Sequence, residues 1–351
     1  MSGCRVFNPS RKLALLISAA PLIATAALFL PLKTARAAGD VLSEQTHAVF
    51  DRCKNAIVKI EATDDHGALS GTGFFVDPNG TLYTCYSVGG ESHDIVVSAG
   101  DMKYPAKRLG ADPRSGIAIL KVEAENVPFL TLGKSKDLDV ASMVITIGYP
   151  LDLPITPNVG CVGGFDTKYG NRYFVTAHIR ANVPVQRGEG GAALLNMNGE
   201  AVGILVSSFD NGSGCFALPI EAAEKVRKDI MRFGEARPGW LGIKFGAAPN
   251  EADGSAVQIE DFVDGAPAPK SGLEKGDILL QVGTSPVKTP DDVLNAAFYL
   301  TAGDEVPITI SRDGQKLSFK VQPGEHPAMP RHTAAVALPS PPPGMPLKMD
   351  R

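Results

Sequence analysis

The chain has 351 residues, 44% apolar and 21% charged, a globular balance with room for about two domains. Its 37 glycines and 7% aromatic content favour many short strands and turns over a helical bundle. The formal net charge of −4, with no basic stripe interleaved with aromatics, argues against a nucleic-acid partner.

Residues 1–38 read as a signal peptide. Arg5, Arg11 and Lys12 open it, an apolar run from Leu13 to Leu32 follows, and Ala35-Arg36-Ala37 supplies a small-x-small cleavage site. An uncleaved membrane anchor is the alternative, because a run of this length can span a bilayer. Pro21, Pro31 and many alanines weaken that alternative, and Cys4 lacks a lipoprotein-type box before it. Cleavage removes five basic and no acidic residues, taking the net charge from −4 to about −9. Export makes disulfides possible among Cys53, Cys85, Cys161 and Cys215. Their pairing is open, buried free thiols included.

Next comes a short helix over residues 41–54. From Ala56 to Ile220 the pattern changes to short apolar runs cut by turns. Strand-like runs are Ile57–Ile60, Gly73–Val76, Leu82–Thr84, Ile95–Val97, Ile117–Leu120, Val144–Ile147, Tyr173–Val175 and Ala201–Val206. Asp77-Pro78-Asn79-Gly80 is a strong turn. Such spacing predicts an all-β sandwich or a pair of barrels. Pro219 to Phe233 shows helical spacing and stops at Gly234, which places a helical linker at 221–237. A second compact unit covers 238–322. Residues 323–351 hold eight prolines and few apolar side chains, and read as a disordered tail.

The most informative stretch is Gly188-Glu189-Gly190-Gly191-Ala192-Ala193-Leu194-Leu195-Asn196, continuing to Gly199-Glu200-Ala201-Val202-Gly203-Ile204. It resembles the nucleophile loop of the HtrA family of trypsin-like serine proteases, G-N-S-G-G-P-L. Ser70–Val76, Leu132-Gly133-Lys134-Ser135, Ile147-Gly148-Tyr149-Pro150 and Cys215–Pro219 resemble further blocks of that family, in the same order. The resemblance implies a trypsin-like double β-barrel over 41–220. It also aligns three positions with the catalytic triad. Gly190 falls in the serine slot, Ser87 in the histidine slot and Gly116 in the aspartate slot.

Acyl transfer needs an oxygen or sulfur nucleophile, a base, and a group that orients the base. Gly190 has no side chain, a serine hydroxyl is no base near neutral pH, and Gly116 orients nothing. The expectation is a degenerate domain with no catalytic residues. A displaced nucleophile, Cys85 or Ser87 with His93 or His66 as base, has no spacing argument behind it. The histidines show no metal-ligand spacing, and no cofactor motif is present.

Residues 238–322 resemble the PDZ domain of the same family, an α+β unit. Gly239-Trp240-Leu241-Gly242-Ile243 is similar to its carboxylate-binding loop, and Ser271-Gly272-Leu273-Glu274-Lys275-Gly276-Asp277-Ile278 to its following block. The resemblance implies that a chain end adds as a strand, its carboxylate held by backbone N–H groups of Leu241, Gly242 and Ile243. Val293, Leu294 and Ala297 share a helical face; they either line the ligand pocket or pack the core. The expected function is a periplasmic pseudoprotease that binds protein C-termini or unfolded polypeptides. It would act as an adaptor, as a chaperone-like protein, or on an active HtrA-type protease. The alternative is a quality-control serine endopeptidase with non-standard residues. The family commonly forms trimers through N-terminal segments, where this sequence offers Phe50 and little else.

Overall fold

A computed structural model describes residues 38–248 and 256–327. The predicted signal peptide and most of the predicted tail lie outside them. Helix α1 (Ala38–Cys53) leads into a closed six-stranded barrel. Its elements are β1 (Ile57–Asp64), β2 (Gly67–Phe75), β3 (Thr81–Cys85), the one-turn helix α2 (Tyr86–Gly89), β4 (His93–Ala99), β5 (Met102–Asp112) and β6 (Ile117–Val122). Its strand order is β1-β2-β3-β6-β5-β4. The second barrel comprises β7 (Met143–Gly148), β8 (Thr156–Tyr169), β9 (Arg172–Ala181), β10 (Ala193–Asn196), β11 (Ala201–Phe209) and β12 (Gly214–Pro219). It closes in the order β10-β11-β12-β9-β8-β7.

Closure removes the exposed strand edges that an open sheet would leave. It also explains the continuous apolar runs. Leu82, Val97, Leu120 and Val122 fill the first barrel, and Val144, Val162, Leu194 and Val202 the second. The alternate residues Phe74, Tyr83, Ile117, Ile119, Ile145, Ile147, Leu195 and Ile204 form a third cluster where the barrels meet. Several strands are therefore buried on both faces, so alternation is lost from their sequence. The β2–β3 turn is tied by Asp77 Oδ1, which accepts from Asn79 N at 2.9 Å and Thr81 N at 3.2 Å, with Gly80 at φ +88°.

Helix α3 (Ile220–Phe233) starts after Pro219 and ends on Gly234 at φ +81°. The predicted linker is a packed element. Ile220, Ala223, Val226 and Ile230, spaced at helical intervals, sit in the inter-barrel core. The third unit contains β13 (Ile243–Ala247), β14 (Val257–Phe262), β15 (Ile278–Val282), β16 (Ser285–Pro286), α4 (Pro290–Phe298), β17 (Val306–Arg312) and β18 (Gln315–Val321). The sheet order is β13-β14-β15-β17-β18, so β13 is an edge strand. The start of the predicted tail is structured. Trp240 and Gly324 exchange backbone hydrogen bonds of 2.8 and 2.9 Å in an isolated antiparallel bridge just before β13. Among the described residues no helix is long and apolar enough to cross a membrane. Cys53, Cys85, Cys161 and Cys215 are free thiols.

Candidate functional site

The three triad-aligned positions come together at the mouth between the barrels. β3 delivers Cys85, and α2 presents Ser87 two residues later with its side chain exposed. Arg108 of β5 caps that turn, donating its Nε to Gly89 O at 2.7 Å. Ser87 Oγ lies 3.1 Å from Cys85 Sγ. Gly190 sits behind that sulfur: a Cβ on it would stand 3.0 Å from Cys85 Sγ. Gly116 closes the turn before β6, and its carbonyl accepts Tyr86 N at 2.7 Å. Its φ of +79° is in the left-handed region, and a Cβ there would meet Val206 at 3.3 Å. The backbone of Gly116 thus engages the amide beside Ser87, and Val206 occupies the space in front of it.

The loop carrying Gly190 is firmly built. Gly190 O accepts Thr72 N at 2.9 Å, and Gly188 O accepts Thr72 Oγ1 at 2.8 Å. Gly191 N donates to Leu205 O at 2.9 Å. Gly191 is irreplaceable by size as well as conformation, because at φ +86° a Cβ would lie 2.3 Å from Thr72 O. Glu189 is buried beneath the loop, where its carboxylate accepts Gln186 N at 2.6 Å and Asn158 Nδ2 at 2.7 Å. Burial holds its pKa above the usual carboxylate range.

Chemically, the mouth holds two protic groups facing each other. Burial pushes the Cys85 thiol up, which disfavours the thiolate. Neither histidine considered as a base pairs with this group. His66 lies 3.8 Å from Asp64 with its ring in solvent, and His93 Nδ1 is 2.8 Å from Asp94 at the surface. His178 is buried in the second barrel, stacked on Phe174 at 4.3 Å with Nδ1 against Thr176 O. Its pKa is pushed down to about 4, first by burial.

The second candidate site lies between β13 and α4. Leu241 is buried in the core of the third unit, and Gly242 makes the turn into β13 at φ +70°. A Cβ on Gly242 would clash with Ala266 Cβ at 2.4 Å, so the turn demands glycine. Ile243 begins β13, which pairs with β14 on one side. Helix α4 is started by a capping box between Thr289 and Asp292, with Pro290 in its first turn.

Each flank of α4 does something different. Val293, Ala296 and Leu300 are buried in the core. Asn295 and Asp291 face the second barrel. Asn295 Oδ1 accepts Ala177 N at 3.0 Å and the Thr176 hydroxyl, and Asp291 Oδ2 accepts Thr167 Oγ1 at 2.6 Å. Leu294, 43% exposed, and the half-buried Ala297 lie on the remaining flank, turned away from the barrel. Of the three helix residues, Val293 is therefore a core contact, while Leu294 and Ala297 stay accessible. The sequence reading did not single out Val206, Glu189 or Asn295. Only proximity in the fold gives these ordinary residues a role.

Two barrels meeting at a glycine-rich loop, followed by a sheet unit with an open edge strand, define the architecture of trypsin-like proteases joined to a peptide-binding module. A family model described as a trypsin-like peptidase domain matches residues 71–204, and a PDZ domain model matches 239–322. A protein named probable periplasmic serine endoprotease DegP-like from Pseudomonas fluorescens is 32% identical over 273 residues, covering 73% of this chain and 56% of that protein. A like-named protein from Chlamydia trachomatis is 29% identical, covering 72% of this chain and 54% of that protein. The chain thus spans little more than half the length of these curated relatives. In fold it resembles an HtrA-type protease AlgW solved with a tripeptide, with TM-score 0.67 and 23% identity over 80% of this chain and 97% of that one. A serine endoprotease from Yersinia pestis superposes with TM-score 0.58 at 23% identity, over 80% of this chain and 98% of that one. The chain belongs to the HtrA-type family of trypsin-like proteases with a PDZ domain.

Proposed function

We propose that this chain is a periplasmic pseudoprotease, which binds protein C-termini or unfolded segments through its PDZ groove without cleaving them. The observation that carries the reading is the convergence of Ser87, Gly116 and Gly190 at one mouth whose other reactive group is a buried, protonated thiol. A proton acceptor and an orienting group are missing from those slots. Triad members act as a unit, so such losses cost about a million-fold in turnover. The signal peptide read in residues 1–38 and the periplasmic names of the relatives support the address. The proposed roles are adaptor, chaperone-like binder, or modulator of an active HtrA-type protease, with a homotrimer as the proposed assembly. Phe50, the residue offered for trimer contacts, is half-buried against the chain's own core.

A second reading, a serine endopeptidase with displaced catalytic residues, is favoured by the names of the curated relatives. A paired assay separates the two. The purified chain without residues 1–38 is incubated with unfolded casein and with a serine-directed phosphonate probe, and is titrated with C-terminal peptides. Peptide binding with intact casein and no probe labelling is expected, as is loss of peptide binding in Ala297→Trp. Cleavage that disappears in Cys85→Ala or Ser87→Ala would replace the pseudoprotease reading with the peptidase one.

A further inference from the structure

The edge strand of the PDZ groove carries an asymmetry of charge. β13 and β14 pair in register except for a bulge between Lys244 and Phe245, where Glu260 is the extra residue on β14. A bulge turns two neighbouring side chains to one face. Here the two are Glu260 and Asp261, both exposed. Asp261 is taken up by Lys244, at 3.2 Å. Glu260 instead lies across Gly246: a Cβ on that glycine would meet Glu260 Oε1 at 2.1 Å. Glycine inside a strand marks a close approach of this kind. The carboxylate therefore rests on β13 itself, on the solvent face, beside the edge where a peptide strand would add.

We propose that this groove selects C-terminal peptides with a basic residue at the fourth position from the end, read by Glu260. The inference rests on the PDZ reading above. An incoming peptide runs antiparallel to β13, with its last residue held beside Ile243 and its carboxylate at the Leu241–Gly242 turn. Counting one for one along the strand sets the fourth-from-last residue opposite Gly246. Directly opposed residues in an antiparallel pair project to the same face. Ile243 and Phe245 pack on the core side, so Gly246 and its partner residue are on the outer side, with the Glu260 carboxylate. The residue second from the end lies opposite Lys244, whose charge Asp261 already balances, and no charge preference is expected there.

The test uses fluorescein-labelled decapeptides with a free carboxylate, a panel varying the last residue over all types, with lysine or glutamate at the fourth or the second position from the end. Binding to the purified chain is read by fluorescence polarisation at low and high salt. Lysine over glutamate at the fourth position is expected to tighten binding about fivefold, the scale of an exposed ion pair, with the gain shrinking in salt. Glu260→Gln should erase the preference and Glu260→Lys reverse it, while the second position stays indifferent. Carboxylate-dependent binding with no preference at the fourth position, or with one that survives Glu260→Gln, overturns this inference and leaves the groove standing. No binding by any member, or equal binding of amidated peptides, overturns the groove and this inference together.

Discussion

At the scale of single residues, the triad-aligned positions are more than missing side chains. Gly116 occupies a left-handed conformation that costs an ordinary residue about 1–2 kcal/mol, with Val206 directly in front of it. Gly190 has the Cys85 sulfur where a serine Cβ would crowd it. The surroundings of both positions leave little room for a larger side chain. Rewriting the triad as Ser87→His, Gly116→Asp and Gly190→Ser is therefore expected to lower Tm and leave casein intact; thermal melts and digestion check both. A second residue-scale prediction concerns His178. Its folded pKa, about 4, lies below the ordinary value of about 6.5, so protonation favours the unfolded chain. Stability from this residue is complete above pH 6.5 and falls as pH drops towards 4. The loss is on the order of 3 kcal/mol. His178→Phe keeps the stack on Phe174 and should flatten that dependence in urea unfolding at pH 7 and pH 4.5.

At the scale of elements, α3 is the piece whose role changed most between sequence and structure. Its periodicity and its ends were readable, from Pro219 and Gly234. Its burial was not, because the apolar face belongs equally to a surface helix. Within it, Asp229 is 3% exposed and accepts from three segments: Lys225 Nζ at 2.7 Å, Arg237 N at 2.9 Å and Thr301 Oγ1 at 2.9 Å. Asp229→Ala would strand the buried Lys225 charge, whose pKa burial already pulls down. Chemical denaturation should show a loss of about 3–5 kcal/mol. Strands β5 and β8 also escaped the sequence reading. Strand β5 carries Lys103, Pro105, Lys107 and Arg108 on an exposed stretch, and β8 is rich in glycine and threonine, so neither has the apolar run by which a strand is recognised.

At the scale of the whole molecule, the PDZ unit is fastened to the second barrel by the flank of α4 opposite its groove. Asn295 supplies the acceptor for Ala177 N, a barrel amide at the β9 surface. Arg232 adds an exposed pair with Asp304 at 2.7 Å. The groove is thus left facing outward while the unit is held. Replacing Asn295 and Asp291 together with alanine should free the PDZ unit from the barrel without unfolding either. The expected signature is a larger radius of gyration in solution scattering with unchanged peptide affinity. An unchanged radius would mean that the seam along α3 holds the units by itself.

The sequence by itself determined the class of fold and the order of the units, and its resemblance to the family aligned Ser87, Gly116 and Gly190 with the triad slots. Those follow from local information: strand-length apolar runs, turn chemistry, and motif blocks in a fixed order. The tertiary structure decided what stands around those positions. Only the packing of one barrel against the other sets Cys85 against Gly190 and Val206 against Gly116, residues far apart along the chain. Only the docking of α4 separates Val293, a core contact, from Leu294 and Ala297, which the helical period places on one face. Only the bulge in β14 lays Glu260 over Gly246. Periodicity reports which face a residue takes within its own element; what lies across from that face is a property of the assembled chain.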